Sequence, residues 1–94
     1  MFKSANKKED IMNRAIEDLI SYVTDSTNLA AYLHALGSQM VGVQDAANGR
    51  GKEFIFNLTQ SQYDAIPHFY DGTGMVSALA YSNSRKIMLG MVKD

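Results

Sequence analysis

A chain of 94 residues without a cysteine has to hold itself together by burial alone. That one feature removes the disulfide scaffold, the thiolate zinc site and the cysteine nucleophile. It also demands an efficient apolar core, because a chain this short buries only roughly 60–70% of the surface its unfolded form exposes. The composition meets that demand, with 46% hydrophobic and 20% charged residues. One domain spanning 1–94 is expected, with 1–6 as a flexible N-terminus. Nine basic and ten acidic residues give a net charge of −1. This balance rules out a surface that is wholly a polyanion-binding field, and equally a strongly acidic mimic of nucleic acid.

The first ten residues, MFKSANKKED, carry lysines but no apolar stretch behind them, so no secretory signal is read here. No apolar run approaches the roughly 18 residues of a membrane span. Asn57-Leu58-Thr59 has the form of a glycosylation sequon and is taken as chance in a chain without a signal. The expectation is a cytoplasmic protein without membrane contact.

Hydrophobic spacing predicts the elements. Ile11, Met12, Ala15, Ile16, Leu19, Ile20 and Val23 recur at helical intervals, which predicts a helix over 7–23. Asn6 and Glu9 stand at its start as a capping pair. A second helix is expected at about 27–36, with Leu29, Tyr32, Leu33 and Leu36 on one side and Gly37 at its end. The period then changes. Gln39–Gln44 and Lys52–Leu58 read as a β-hairpin with a long tip containing Asn48-Gly49, and Phe54, Phe56 and Leu58 share one face. Thr59-Gln60-Ser61-Gln62 is a capping box, so a third helix begins there and kinks or ends near Ile66, before Pro67. The tail, Met75–Tyr81 and Lys86–Val92 around Ser82-Asn83-Ser84-Arg85, reads as a second hairpin. A single helix from 75 to 92 is the competing reading, because Met, Ala and Leu favour helix. The sum is an α+β domain: two N-terminal helices, then ββαββ, with a mainly antiparallel four-stranded sheet.

Chemistry-bearing residues are sparse. His34 and His68 are the only histidines. Asp64 lies four residues before His68, but a metal pair built from them needs an intact helix across Pro67. There is no Gly-x-Ser-x-Gly elbow and no His-Glu-x-x-His. Neither catalysis nor a cofactor is expected. Asn48-Gly49-Arg50-Gly51-Lys52 has backbone freedom and charge suited to an anion, without the spacing of a P-loop. Arg85 and Lys86 would form a second basic tip beside it if the tail is a hairpin. Arg50, Lys52, Arg85 and Lys86 are therefore the candidates for a partner or anion, with Phe54, Phe56 and Tyr81 as stacking surfaces for a single strand. Met75, Tyr81, Met88 and Met91 are the candidates for self-association, since a tail hairpin apolar on both faces needs cover on both. The leading expectation is a non-enzymatic protein that binds a protein partner, as a stoichiometric inhibitor or adaptor. Phage and mobile-element counter-defence proteins, anti-CRISPR factors among them, have this size and plainness. The alternative is a nucleic-acid or phosphorylated-ligand module using the basic tips. A homodimer built on the tail is expected in either case.

Overall fold

The computed structural model describes residues 19–92. It contains β1 (Ile20–Thr24), α1 (Thr27–Ala35), β2 (Gln39–Asp45), β3 (Lys52–Leu58), α2 (Gln60–Asp64), α3 (Ile66–Asp71) and α4 (Ala78–Val92). The class is α+β. The three strands form one antiparallel sheet in the order β1-β3-β2.

Alternation along β3 decides which face is inside. Phe54, Phe56 and Leu58 are fully buried, while Glu53, Ile55 and Asn57 point the other way. Tyr22 of β1 and Met40 of β2 both lie opposite Phe56 on the inner side. A bulge between Met40 and Gly42 re-aims the rest of β2, so that Val43 again meets Phe54 on that side. α1 covers this face. Ser26 caps it, its Oγ accepting the Leu29 N–H at 3.1 Å. Leu29, Ala30, Ala31, Tyr32 and Leu33 are buried in succession. Five consecutive residues go right round a helix, so α1 is enclosed from both sides. The sheet lies on one side and α4 on the other, where Met88 and Ser84 are the buried residues. Two cross-links tie α4 to α1. His34 Nδ1 and Ser84 Oγ are 2.7 Å apart, and Arg85 Nε donates to Asn28 Oδ1 at 3.0 Å.

Three sequence expectations are corrected here. The helix expected over 7–23 does not hold at its C-terminal end, because Ile20–Thr24 is a strand; the rest of that expectation, with Asn6, Glu9 and the residues up to 18, lies outside the described residues. Ile20, Tyr22, Val23 and Thr24 are β-branched or aromatic, and the unpaired edge of β3 gives their backbone a ladder that a helix would forgo. The sheet has three strands among the described residues, not four. The tail is the helix α4, not a hairpin. Ser77 starts it, its Oγ accepting the Ala80 N–H at 2.9 Å. The Ser-Asn-Ser cluster that suggested a turn sits within the helix, where Ser84 is spent on His34. The hairpin of β2 and β3, the helix at 27–35 and the capping box at Thr59 agree with the sequence reading. Among the described residues no helix is long and apolar enough to cross a membrane.

Candidate functional site

The chain between β3 and α4 builds a concave site. Thr59 caps α2 through a reciprocal pair, its Oγ1 accepting the Gln62 N–H at 3.2 Å while Gln62 Oε1 accepts the Thr59 N–H at 2.9 Å. The helix breaks at Ala65, and Pro67 enters the first turn of α3, where its missing N–H costs nothing. α3 ends at Gly72, whose φ of 84° is one that glycine adopts without strain. Thr73 N and Gly74 N both return to the His68 carbonyl, at 3.0 and 2.9 Å.

Side chains staple the same turn. Asp71 Oδ1 accepts the Thr73 N–H at 2.9 Å and the Thr73 hydroxyl at 2.6 Å. His68 Nδ1 lies 2.9 Å from Thr73 Oγ1. With the hydroxyl proton directed at Asp71, the threonine oxygen accepts, so Nδ1 carries the hydrogen. The hydrogen bonds from Thr73 hold the Asp71 carboxyl below the usual carboxylate range, helped by the neighbouring His68. His, Thr and Asp within one turn invite comparison with a nucleophilic triad. The polarity is wrong for one, because the histidine donates to the threonine oxygen and accepts nothing from it.

This stapled turn holds a cleft of about 310 Å³ against α1 and α4. Tyr32 from α1, Phe69 from α3, Val76, Ala78 and Tyr81 line it, with Gly72 and Gly74 at the backbone side. Tyr32 and Phe69 pack with ring centroids 5.2 Å apart, and Phe69 meets Tyr70 edge-on at 5.2 Å. Gly74 presses on Tyr32 so closely that a Cβ there would lie 2.5 Å from the phenol oxygen. Three large apolar side chains are bonded next to the lining. Tyr70 follows Phe69, Met75 stands between Gly74 and Val76, and Leu79 follows Ala78; they are 66%, 86% and 72% exposed. Tyr22, Tyr63 and Tyr70 extend the aromatic surface toward β1. The Tyr22 and Tyr63 rings meet edge-on at 6.2 Å, and burial, with the two neighbouring phenols, pushes the Tyr22 phenol upward.

The residues singled out in the sequence divide between surface and core. Arg50 lies exposed in the β2–β3 tip, its backbone N–H held by Asn48 Oδ1 at 2.8 Å. Lys52 Nζ is paired with Asp45 at 2.7 Å across the base of the tip, which holds the Asp45 carboxyl low. Arg85 and Lys86 sit within α4, not on a second tip, and Arg85 is engaged by Asn28. Four cations on paired hairpin tips are therefore not what the fold builds. Phe54 and Phe56 are fully buried and offer no stacking face. Asp64 accepts from Gln60 Nε2 at 2.8 Å, on the far side of the helix break from His68. Of the self-association candidates, Tyr81 lines the cleft, Met75 is exposed between Gly74 and Val76 of its lining, Met91 is 40% exposed, and Met88 is core. Tyr32, Phe69 and Gly74 were not singled out as a site, since only the crossing of α4 over α1 brings them beside Tyr81. Among the described residues no group of three or more His, Cys, Asp or Glu is placed to hold a metal ion.

No protein-family model, curated protein or solved structure matches this chain.

Proposed function

We propose that this protein acts by binding a protein partner, and that the cleft between α1, α3 and α4 receives an apolar side chain of that partner. The observation that carries this reading is the juxtaposition of a concave aromatic cleft with Tyr70, Met75 and Leu79, three of the most exposed large apolar side chains in the described residues. Isolated exposed apolar residues are ordinary on a protein surface, but three of them each next in sequence to a residue lining an apolar pocket fit the anatomy of an interface centre. Burying such side chains contributes about 1.5–3 kcal/mol each before the cost of association. A stoichiometric inhibitor or adaptor works through such a surface, and a phage or mobile-element counter-defence factor is the kind of protein whose size and composition match.

The test compares the full chain with its Met75→Asp/Leu79→Asp variant as bait in extracts of the native host. A partner retained by the parent chain, lost by the variant, and unaffected by nuclease supports the reading. Equal retention by both baits, or retention that nuclease removes, overturns it. Self-association through the same face is distinguished by light scattering on the purified protein. A mass near 10.4 kDa leaves the cleft free for a different protein. A doubled mass that Leu79→Asp restores to that of one chain makes a second copy the occupant.

A further inference from the structure

The cleft between α1, α3 and α4 has one polar point in an apolar wall. Tyr32 lines it and is only 5% exposed, yet its hydroxyl makes no hydrogen bond among the described residues. A buried phenol ordinarily finds a partner. The oxygen is not sealed off as Ser38 Oγ is, the one buried side-chain oxygen without a partner among the described residues. Solvent therefore reaches the Tyr32 hydroxyl, and the opening beside it is the cleft, with Gly74 of the lining pressed against it. No lining residue carries a carboxylate, an imidazole or a cation. Asp71, in the turn behind, is committed to Thr73. Tyr81, the other phenol of the lining, is only partly buried.

We infer that the partner's side chain in this cleft is a tyrosine, whose ring lies among the aromatic residues of the wall and whose hydroxyl bonds that of Tyr32. The inference rests on the protein-binding reading and narrows it. Charge complementarity sets the first limit. A charged tip entering a wall without a counter-ion would be stripped of water and left unpaired, which removes Lys, Arg, Asp and Glu. Hydrogen bonding sets the second. A wholly apolar occupant, Leu or Phe, expels the water at the Tyr32 oxygen and strands the hydroxyl. Donor and acceptor count sets the third. The Tyr32 hydroxyl has a hydrogen to place, and an indole N–H cannot accept it. An imidazole accepts it but brings a second polar nitrogen that an apolar wall leaves unpaired. A phenol both donates and accepts at one atom. Its ring also extends the packing already present, in which Tyr32, Phe69 and Tyr70 follow one another at 5.2 Å. A cleft of about 310 Å³ is at the small end of ligand sites, which suits a single side chain.

Two probes that differ by one hydroxyl test this on the full chain, N-acetyltyrosine amide and N-acetylphenylalanine amide, each followed by the NMR shifts of the Gly72, Gly74 and Val76 amides. The tyrosine probe is expected to bind about 3–10-fold more tightly than the phenylalanine probe, and Tyr32→Phe to abolish that preference. Tyr32→Phe should unfold at or above the parent's denaturant midpoint, because its hydroxyl has no internal bond to lose. Equal affinity for the two probes in the parent, a preference that Tyr32→Phe leaves in place, or no shift at the cleft with either probe overturns the inference. The same variant used as bait in host extracts separates this inference from the broader reading. A partner lost by Met75→Asp/Leu79→Asp but held at parental affinity by Tyr32→Phe keeps the cleft as the interface and overturns the tyrosine anchor. A partner held by both variants overturns both.

Discussion

Gly74 is restricted to glycine by its neighbour more than by its backbone. A Cβ at this position would lie 2.5, 2.8 and 2.9 Å from the oxygen and two ring carbons of Tyr32. Tyr32 is 5% exposed and its ring is packed on Phe69, so it cannot swing aside without opening the core. Gly74→Ala is expected to lower stability by about 1–3 kcal/mol. Adding Tyr32→Phe should restore only part of that, because it removes the oxygen and leaves the ring carbons. A denaturant midpoint unmoved by Gly74→Ala would show that the loop gives way freely. Asp71, three residues earlier, makes a prediction in pH. Its carboxyl titrates below the value of an unfolded aspartate, chiefly because Thr73 donates to it twice. A depressed folded value means that the stabilisation of this turn is complete above about pH 3.9 and is lost as the pH falls through the folded value. Thr73→Val removes the hydroxyl bond and should move the Asp71 midpoint upward in a carboxyl-detected NMR titration. An unchanged midpoint would mean that the backbone N–H alone sets it.

α4 shows how an element can lack a strong local signal and still be well determined. Its apolar residues are spread around the axis, with Met88 buried and Leu79, Ile87, Leu89 and Met91 exposed by 40% or more, so the spacing fits a two-sided strand as readily as a helix. What decides it is distant. Ser84 bonds His34 fifty positions away, and Arg85 bonds Asn28. Neither contact is visible until α1 is in place. β1 was obscured by a neighbouring pattern, because Ile16, Leu19, Ile20 and Val23 continue the helical stripe of the preceding residues. Only pairing with the free edge of β3 reassigns the last of them. The hairpin and the Thr59 capping box were legible because their determinants are local: alternating Phe54, Phe56 and Leu58, the Asn48-Gly49 tip, and a reciprocal bond between residues three apart. Of the site, the sequence reading singles out Met75 and Tyr81 only as faces of a tail hairpin that does not form, while the cleft that Tyr81 lines depends on the α4 crossing. The tail as helix carries its own prediction. Gly90 is exposed within α4, its φ is not in the left-handed region, and a Cβ there meets nothing within 4 Å. Gly90→Ala should therefore stabilise the fold by about 0.5–1 kcal/mol, visible as a rise in Tm of several degrees. A fall in Tm would mean that a close backbone contact at Gly90 exists in solution.

At the scale of the whole molecule, charge and apolar surface make opposite demands on a binding mechanism. The chain carries a net charge of −1, and two of its four candidate cations are already used internally, Lys52 by Asp45 and Arg85 by Asn28. A nucleic-acid reader gains much of its affinity from releasing counterions, so its binding falls steeply as salt rises. A surface built on Tyr70, Met75 and Leu79 around an aromatic cleft gains its affinity from removing apolar area from water, which salt does not weaken. The two mechanisms separate in one experiment with the Arg50→Ala/Lys52→Ala/Arg85→Ala/Lys86→Ala chain. That variant loses the Arg85 tie between α4 and α1 and the Lys52 pair at the hairpin, so its midpoint of unfolding should fall slightly and its spectrum should stay that of the parent. Below that midpoint it should hold the partner with close to parental affinity, and for both proteins the affinity should change little between about 0.1 M and 1 M salt, where the screening length falls from about 10 Å to 3 Å. Met75→Asp/Leu79→Asp should show the reverse pattern, with the charged residues intact and the binding gone. Loss of binding in the quadruple variant together with a steep salt slope in the parent would transfer the function from the cleft to the cations.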